Sequence, residues 1–276
     1  MRERIKVGLC DEFVNQISLP GLAADYSHGF EEMILLNKAF AVMLAKQGIV
    51  AKEDIKQILE GLEYAHQNLK PEQLDPQLED LYFNVERTMM KKAGAVGGRL
   101  HTGRSRNDIL ATQTRMMIRP TVYSVMERLL AFQDILLQKA EENLETVITG
   151  YTHFQPGQPI TYGHYLTTMA SAFVRDFDRI KAAYINTNQS PYGAAAFAGS
   201  GFAIDRQYLS ELLGFDRILE NSLDCIGSRD YIVELDAAYA MMMLNVSRFA
   251  EDLYIWATHE FGTLDFSGEI AICSSI

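Results

Sequence analysis

The fold is decided by residues 229–261, which read RDYIVELDAAYAMMMLNVSRFAEDLYIWATHEF. This stretch contains neither glycine nor proline, and its apolar residues recur at the three- and four-residue steps that align along one side of an α-helix. The residues on that side are Leu235, Met242, Val246, Phe249, Leu253 and Trp256. Because a helix of this length draws most of its stability from packing an apolar face, we expect it to lie in a helical bundle.

Several further segments show the same helical period, with short breaks between them. They are residues 30–48, 55–62, 75–94, 108–147 and 161–186. Pro120 predicts a kink or a split in the fourth segment, because proline lacks an amide hydrogen and its ring clashes with the preceding turn. No strand pattern of useful length and no internal repeat is present, and the Gly/Pro-rich residues 150–158 predict a loop. The sequence therefore predicts an all-α fold.

The clearest flexible break is the GAVGG stretch at residues 94–98, which leads into a polar run at residues 101–108. We expect a domain boundary there. A small, mostly helical N-terminal domain would occupy residues 1–104, and a central long-helix bundle would occupy residues 105–276. Subunit association would extend that bundle into a multi-subunit helical core.

Composition narrows the class of protein. The 276 residues carry a formal net charge of −11, which disfavours a general nucleic-acid partner or an anionic membrane surface. No apolar run is long enough for a membrane span or a signal peptide, so we expect a cytoplasmic protein. Cys10, Cys225 and Cys273 are far apart and match neither a zinc spacing nor a redox pair. No metal or organic cofactor is expected.

The first candidate site is HTGRSRND at residues 101–108, called the arginine loop below. It concentrates two arginines, two hydroxyls, an asparagine and a histidine at the start of a helix, where backbone N–H groups favour an anion. Arg106 could hold a carboxylate bidentately while Ser105 and Asn107 donate further hydrogen bonds. Taken alone, such a run is more often a solvated loop with a capping serine than a binding site.

Two other segments are informative mainly in combination. GYTHFQPGQP at residues 150–159 sets His153 among hydrogen-bonding neighbours that could orient an imidazole for proton transfer. Taken alone, the segment fits a structural histidine bonded to the backbone better than a catalytic one. The last three residues of the sequence are Ser274, Ser275 and Ile276. A serine is a weak base unless its surroundings depress its pKa, so this pair means little by itself.

Together these blocks resemble argininosuccinate lyases of the aspartase/fumarase superfamily, from about residue 30 onward. The matching blocks are GGRLHTGRSRND, GYTHFQPGQPITYGH, GFAIDR, LLGF, NSLDCIGSRDY and the terminal SSI. The arginine loop resembles this branch more than fumarase, aspartase or adenylosuccinate lyase. The resemblance implies β-elimination across a carbon–nitrogen bond, with fumarate released from a succinyl-amine dicarboxylate.

The resemblance also implies roles for individual residues. It makes Ser274 the base, with Ser275 beside it, and His153 the group that handles a proton or orients the acid. It implies that the substrate carboxylates contact Asn84, Ser105, Arg106, Asn107, Thr152 and His153. Gln158 and Arg229 are weaker assignments, because each could equally hold loops together.

Several positions depart from the family pattern. The family usually has histidine where this chain has Tyr82, serine and histidine at Asn37 and Phe40, glutamine at Ile109 and glycine at Cys273. These changes leave the fumarate-side residues intact but affect the side that would bind arginine. Two alternatives therefore stay open: a related lyase acting on another N-substituted aspartate, and a non-catalytic structural homologue similar to lens crystallins.

The resemblance has consequences for assembly as well. Family members are homotetramers whose active sites combine segments from three subunits, and their chains continue past the SSI motif into a C-terminal domain. Residues 105–276 would then be an incomplete central domain. We expect the 276-residue chain by itself to show weak or no lyase activity.

Overall fold

The computed structural model describes residues 7–271, which form helices with two small pairs of strands. The α-helices are α1 (Asp11–Phe13), α2 (Leu19–Lys46), α3 (Lys52–Asn68), α4 (Leu81–Ala93), α5 (Arg106–Glu142), α6 (Tyr162–Thr187), α7 (Arg206–Leu212), α8 (Ser222–Gly227) and α9 (Asp230–Trp256). A π-helical segment spans Val14–Ser18, and 3₁₀ helices span Pro71–Gln73, Pro76–Leu78 and Gly94–His101. The strands are β1 (Val147–Thr152), β2 (Gln155–Thr161), β3 (Gln189–Ser190) and β4 (Arg217–Ile218). The predicted all-α class is confirmed.

The chain forms two compact units. The first contains the residues up to Thr121 together with Asn186–Arg229, and the second contains Val122–Ile185 together with the residues from Asp230 onward. These units divide the chain at other places than the predicted domain boundary after residue 104. That boundary stays a prediction about domains.

The core of the first unit lies between α2, α3 and α4. The large, fully buried side chains on these helices are Leu22, Met33, Leu36, Phe40, Met43, Leu44, Ile58, Leu62, Leu81 and Met89. Gly61 on α3 lets α4 approach closely, because a Cβ at this position would lie 2.8 Å from the Met89 carbonyl oxygen. Close packing of this kind follows from the three- and four-residue spacing of apolar positions on each helix.

The second unit has an aromatic core contributed by α5, α6 and α9. Phe132 lies 5.3 Å from Phe173 and 6.0 Å from Phe249 between ring centroids. The Tyr165 ring lies 4.4 Å from Trp256, and its hydroxyl donates a 2.8 Å hydrogen bond to Asp252. A buried tyrosine needs such a partner for its hydroxyl, so this pair fixes α6 against α9.

Two details of the predicted secondary structure need correction. Helix α5 is not split at Pro120, which lies inside one continuous helix, and the alternative of a kink there stays a prediction. Residues 150–158 are not a loop, because β1 and β2 pair as an antiparallel hairpin with Thr152 opposite Gln155. The helix boundaries also differ, since α2 begins at Leu19 rather than residue 30, and α9 ends at Trp256 rather than residue 261.

Among residues 7–271, none of the helices is both long and apolar enough to span a lipid bilayer.

Candidate active site

The arginine loop connects the 3₁₀ helix Gly94–His101 to the first turn of α5. Ser105 directly precedes α5, and its hydroxyl accepts a 3.3 Å hydrogen bond from the Asn107 backbone N–H. The Asp108 carboxylate in turn accepts the Ser105 backbone N–H at 2.9 Å. This reciprocal arrangement resembles a capping box, which satisfies backbone donors that a helix start would otherwise leave unpaired. The serine therefore caps the helix while standing beside the proposed carboxylate contacts.

Arg106 lies between two carboxylates of its own chain. Its Nη1 donates to Asp80 at 2.7 Å and to Glu79 at 3.1 Å, and its guanidinium carbon lies 4.5 Å from the centre of the Phe83 ring. Within residues 7–271, no hydrogen bond engages its Nη2 or Nε. The side chain is 34% exposed. One edge of the guanidinium is thus held in place while another edge can receive an anion.

Asn84 is completely buried and holds the segment that carries these carboxylates. Its Oδ1 accepts the Asp75 backbone N–H at 2.7 Å, and its Nδ2 donates to the carbonyls of Asp80 at 2.9 Å and Asp75 at 3.2 Å. Both amide hydrogens are therefore used within the chain. Asn84 supports the surroundings of Arg106, and its proposed direct contact with substrate stays a prediction.

Asn107 is exposed, and it links the arginine loop to residues 191–201, called the glycine-rich loop below. Its Nδ2 donates to the Ala196 carbonyl at 3.0 Å. Asp108 reaches the same loop, because its second oxygen accepts the backbone N–H groups of Gly193 at 3.1 Å and Ala195 at 3.0 Å. The structure thus brings Asn84, Ser105, Arg106 and Asn107 into one region of the first unit.

Arg104 is a buried cation that the sequence analysis did not identify. It donates from Nη1 to the Tyr192 hydroxyl at 2.8 Å and from Nη2 to Asn37 Oδ1 at 2.7 Å. Its guanidinium carbon also lies 4.8 Å from the Phe40 ring centre and 5.7 Å from the Tyr82 ring centre. Three positions that depart from the family pattern therefore surround one arginine. Nothing in the linear sequence distinguishes its buried guanidinium from the exposed one of Arg106.

Two ionisable groups of the arginine loop have shifted pKa values. Burial raises the pKa of Asp108 to about 6, against the lowering effects of its backbone donors and Arg104. Burial, reinforced by the positive charges of Arg104 and Arg106, lowers the pKa of His101 to about 4. Since Tyr82 donates its hydroxyl hydrogen to Glu86 at 2.8 Å, the same oxygen can accept from His101 Nδ1, also 2.8 Å away. His101 is thus held neutral at pH 7.

The second candidate segment is the β1–β2 hairpin of the other unit. His153 and Phe154 form its two-residue turn with φ values of 53° and 58°, the left-handed backbone typical of a type I′ turn. Thr152, His153 and Gln158 are all exposed on it, and none of their side chains has a hydrogen-bond partner within residues 7–271. Their proposed contacts with substrate stay predictions.

The other predicted site residues are Ser274, Ser275 and Arg229. Ser274 and Ser275 lie outside the described residues. Arg229 donates from Nη1 to the carbonyls of Ser228 at 2.6 Å and Ile226 at 3.1 Å, where it stabilises the turn before α9. Asp108 was missed as a candidate, although its spacing from Ser105 is the one that predicts a capping box.

Known proteins resemble this chain closely. A family described as lyase matches residues 23–276. Argininosuccinate lyase 1 of Shouchella clausii is 41% identical over 275 residues, which cover 99% of this chain and 55% of that protein. The argininosuccinate lyase of Methanocaldococcus jannaschii is 43% identical over 249 residues, which cover 90% of this chain and 51% of that protein. The chain spans about half the length of the curated relatives it matches.

A solved structure is also similar to almost the whole of this chain. The crystal structure of EDDS lyase in complex with formate has a TM-score of 0.85 and 31% identity, with 99% of this chain and 54% of that chain covered. Both the relatives and the structure align with almost the whole of this sequence. Because the family match itself covers most of the chain, the chain belongs to the lyase family of the aspartase/fumarase superfamily.

Proposed function

We propose that the protein catalyses an argininosuccinate lyase-type β-elimination, in which argininosuccinate is split into arginine and fumarate. The observation that carries the proposal is the start of α5. There Ser105, Arg106 and Asn107 stand next to one another at a capped helix N-terminus, in a chain 41% identical to a curated argininosuccinate lyase. A capped helix start with an arginine and an amide suits a carboxylate ligand.

In this reaction a base removes the proton from the carbon next to one carboxylate, which gives an aci-carboxylate intermediate. The electrons then form the carbon–carbon double bond of fumarate, and the carbon–nitrogen bond breaks with its electron pair passing to nitrogen, which takes a proton. The intermediate carries extra negative charge on one carboxylate. Donors aimed at that charge therefore lower the barrier more than they tighten substrate binding.

The family resemblance assigns the remaining roles. Ser274 would be the base, with Ser275 beside it, and His153 would handle a proton or orient the acid. Thr152 and Gln158 lie on the same exposed hairpin as His153. A side chain at such a hairpin tip is available to a site that other parts of the assembly complete. No step of the proposal needs a metal or an organic cofactor.

We propose that these sites are shared between subunits of a homotetramer. The support comes from α9, whose side opposite the core carries exposed apolar residues. These residues are Val233, Met243 and Leu244. Exposed apolar stripes on a long helix are typical of an interface that association buries. A cytoplasmic location is proposed as well, since Cys10 and Cys225 are both free thiols.

A second function has a specific observation in its favour. The likeness to EDDS lyase, together with the departures at Asn37, Phe40 and Tyr82, supports a related lyase acting on another N-substituted aspartate. The fumarate-forming chemistry would be the same. Only the amine half of the substrate would differ.

The test measures fumarate absorbance when argininosuccinate, and then other N-succinyl amines, are offered to two proteins. One is the 276-residue chain, and the other, called the extended chain below, continues after Ile276 with the C-terminal part of the Shouchella clausii relative. We expect activity from the extended chain and weak or no activity from the chain alone. Equal activity from both would contradict the proposed need for residues that follow the SSI motif.

Two variants distinguish the loss of a substrate contact from the general effect of removing an arginine. In the extended chain, Arg106→Gln should lower kcat/KM by roughly a hundred- to thousandfold, as expected for a lost donor to a developing oxyanion. Arg99→Gln is the matched control, because Arg99 is an exposed arginine that pairs with Asp54. The absence of fumarate from every substrate would refute the lyase proposal and favour a structural homologue of the crystallin kind.

A further inference from the structure

Asp108 is a fully buried carboxylate that serves two segments at once. One oxygen accepts the Ser105 backbone N–H in the arginine loop at 2.9 Å. The other accepts the backbone N–H groups of Gly193 at 3.1 Å and Ala195 at 3.0 Å in the glycine-rich loop. A buried charge is costly unless it is well hydrogen-bonded, and three converging donors offset part of that cost.

The chemistry of the position requires an acid. Three backbone donors point at this side chain, and an ionised carboxylate is the small group that only accepts. Asparagine has almost the same shape, but its amide would turn an N–H₂ group toward other N–H donors. One or two of the three hydrogen bonds would therefore be lost, and the corresponding backbone groups would be buried without partners.

The Asp108 carboxylate binds the glycine-rich loop where the loop backbone is left-handed. Gly193 has φ 84° and Ala195 has φ 55°, and alanine rarely adopts that left-handed backbone. A Cβ at Gly193 would lie 2.9 Å from Ile204 Cγ2 and 2.8 Å from Arg206 Cγ. The loop is therefore held in a close and partly unfavourable path, and the two bonds to Asp108 lie within it.

We propose that Asp108 is a positioning residue, which locks the glycine-rich loop against Ser105, Arg106 and Asn107 so that these three side chains are fixed for a substrate carboxylate. This inference rests on the proposed function. The Asn107 side chain adds a further link, because it donates to the Ala196 carbonyl at 3.0 Å. The lock thus joins the segment that binds substrate to a second loop through one buried side chain.

The first measurement follows the lock without reference to activity. Amide hydrogen exchange at Ser105, Gly193 and Ala195 is compared in the 276-residue chain and in its Asp108→Asn variant. We expect exchange to be at least about tenfold faster either at Ser105 or at both Gly193 and Ala195, because the single oxygen of asparagine can replace only one of the two carboxylate oxygens. Unchanged exchange at all three amides would overturn the proposed lock.

The second measurement links the lock to binding. In the extended chain, the Asp108→Asn change should raise the Kd for fumarate and the KM for substrate together by about tenfold or more. A merely structural role would reduce the melting temperature or the active fraction and leave KM unchanged. Asp205→Asn is the matched control, because Asp205 is also an acid in the first unit that accepts a backbone N–H, from Tyr208 at 2.9 Å.

The outcomes keep the inference apart from the proposed function. If the wild-type extended chain releases no fumarate from any substrate but binds fumarate in an Asp108-dependent way, the reaction is refuted and the positioning role stands. If the enzyme is active while Asp108→Asn and Asp205→Asn have the same KM and fumarate affinity as the wild type, the positioning role is refuted. A KM increase of equal size in both variants would also refute it.

Discussion

At the scale of single residues, the arginine loop holds a partly buried histidine and a fully buried aspartate whose protonation affects folding in opposite directions. The pKa of His101 is lowered from 6.5 to about 4, so the unfolded chain binds a proton before the folded chain does as the pH falls. Folding stability from this group is lost between those values. The pKa of Asp108 is raised from 3.8 to about 6, so the folded chain binds its proton first and gains stability as the pH falls.

These opposite effects predict the behaviour of two variants. His101→Gln removes the group whose protonation favours the unfolded chain. The free energy of unfolding of this variant, relative to wild type, should therefore rise as the pH falls from about 6.5 to 4. Asp108→Asn removes the group whose protonation stabilises the folded chain, by at most about 3 kcal/mol. The stability of this variant relative to wild type should therefore fall over the same pH range. Urea unfolding followed by helical circular dichroism at several pH values measures both. Parallel pH profiles for the two variants would contradict the opposite shifts.

The sequence could predict some of these residues and not others. The cluster of Ser105, Arg106 and Asn107 was visible because two arginines and several donors stand together in a short polar run. The burial of Arg104 was not visible, because it depends on Asn37 and Tyr192, which are far away along the chain. Arg104 and Arg106, two residues apart in one motif, thus differ in burial and in partners because of their tertiary contacts.

At the scale of secondary-structure elements, packing overrode the local signal of Pro120. Pro120 leaves α5 unbroken although it removes one backbone hydrogen bond, because apolar residues on both sides of it are buried, including Met116 and Val122. The boundary between the two compact units lies just after this proline, between Thr121 and Val122. Helix propensity is a weak prior, and burial of an apolar face on either side outweighs one unfavourable residue.

The β1–β2 hairpin escaped prediction for reasons of composition. Its turn is His153–Phe154, which lacks the Asn-Gly or Asp-Gly pair that usually marks a two-residue turn. Its register shifts near Gly150, where a Cβ would lie 2.8 Å from the Gln158 carbonyl oxygen. Such a bulge needs glycine, and the prolines of β2 are tolerated because the sheet has only two strands.

The α3–α4 contact predicts an asymmetry between two glycines in helices. Gly61→Ala should lower the free energy of unfolding by about 1–2 kcal/mol, because overpacking against the Met89 carbonyl and Ala93 outweighs the better helix propensity of alanine. Gly21→Ala is the matched control on α2, where nothing lies within 4 Å of a new Cβ. That variant should be more stable than wild type by up to about 1 kcal/mol. Equal shifts in the urea midpoint would contradict the close helix contact.

At the scale of the whole molecule, α9 carries two apolar faces where a helix of an isolated domain would carry one. Leu235, Phe249 and Trp256 are buried in the second unit, whereas Val233 and Leu244 are 66% and 63% exposed on the opposite side. The sequence predicted a long helix in a bundle but could not separate these faces, because the helix is apolar around most of its circumference. Polar residues would normally occupy the outer face, so the apolar stripe favours association with other copies.

The proposed association predicts the effect of a charge on that stripe. Leu244→Lys should shift the protein toward smaller species in sedimentation velocity, because burying an ammonium group in an apolar interface is unfavourable without a partner. Leu144→Lys is the matched control, since Leu144 is 61% exposed in the turn after α5 and receives the same change. Its sedimentation should equal that of the wild type. If the wild type sediments as a monomer, or if both lysine variants dissociate alike, α9 does not form the subunit interface, and the shared active site loses its structural basis.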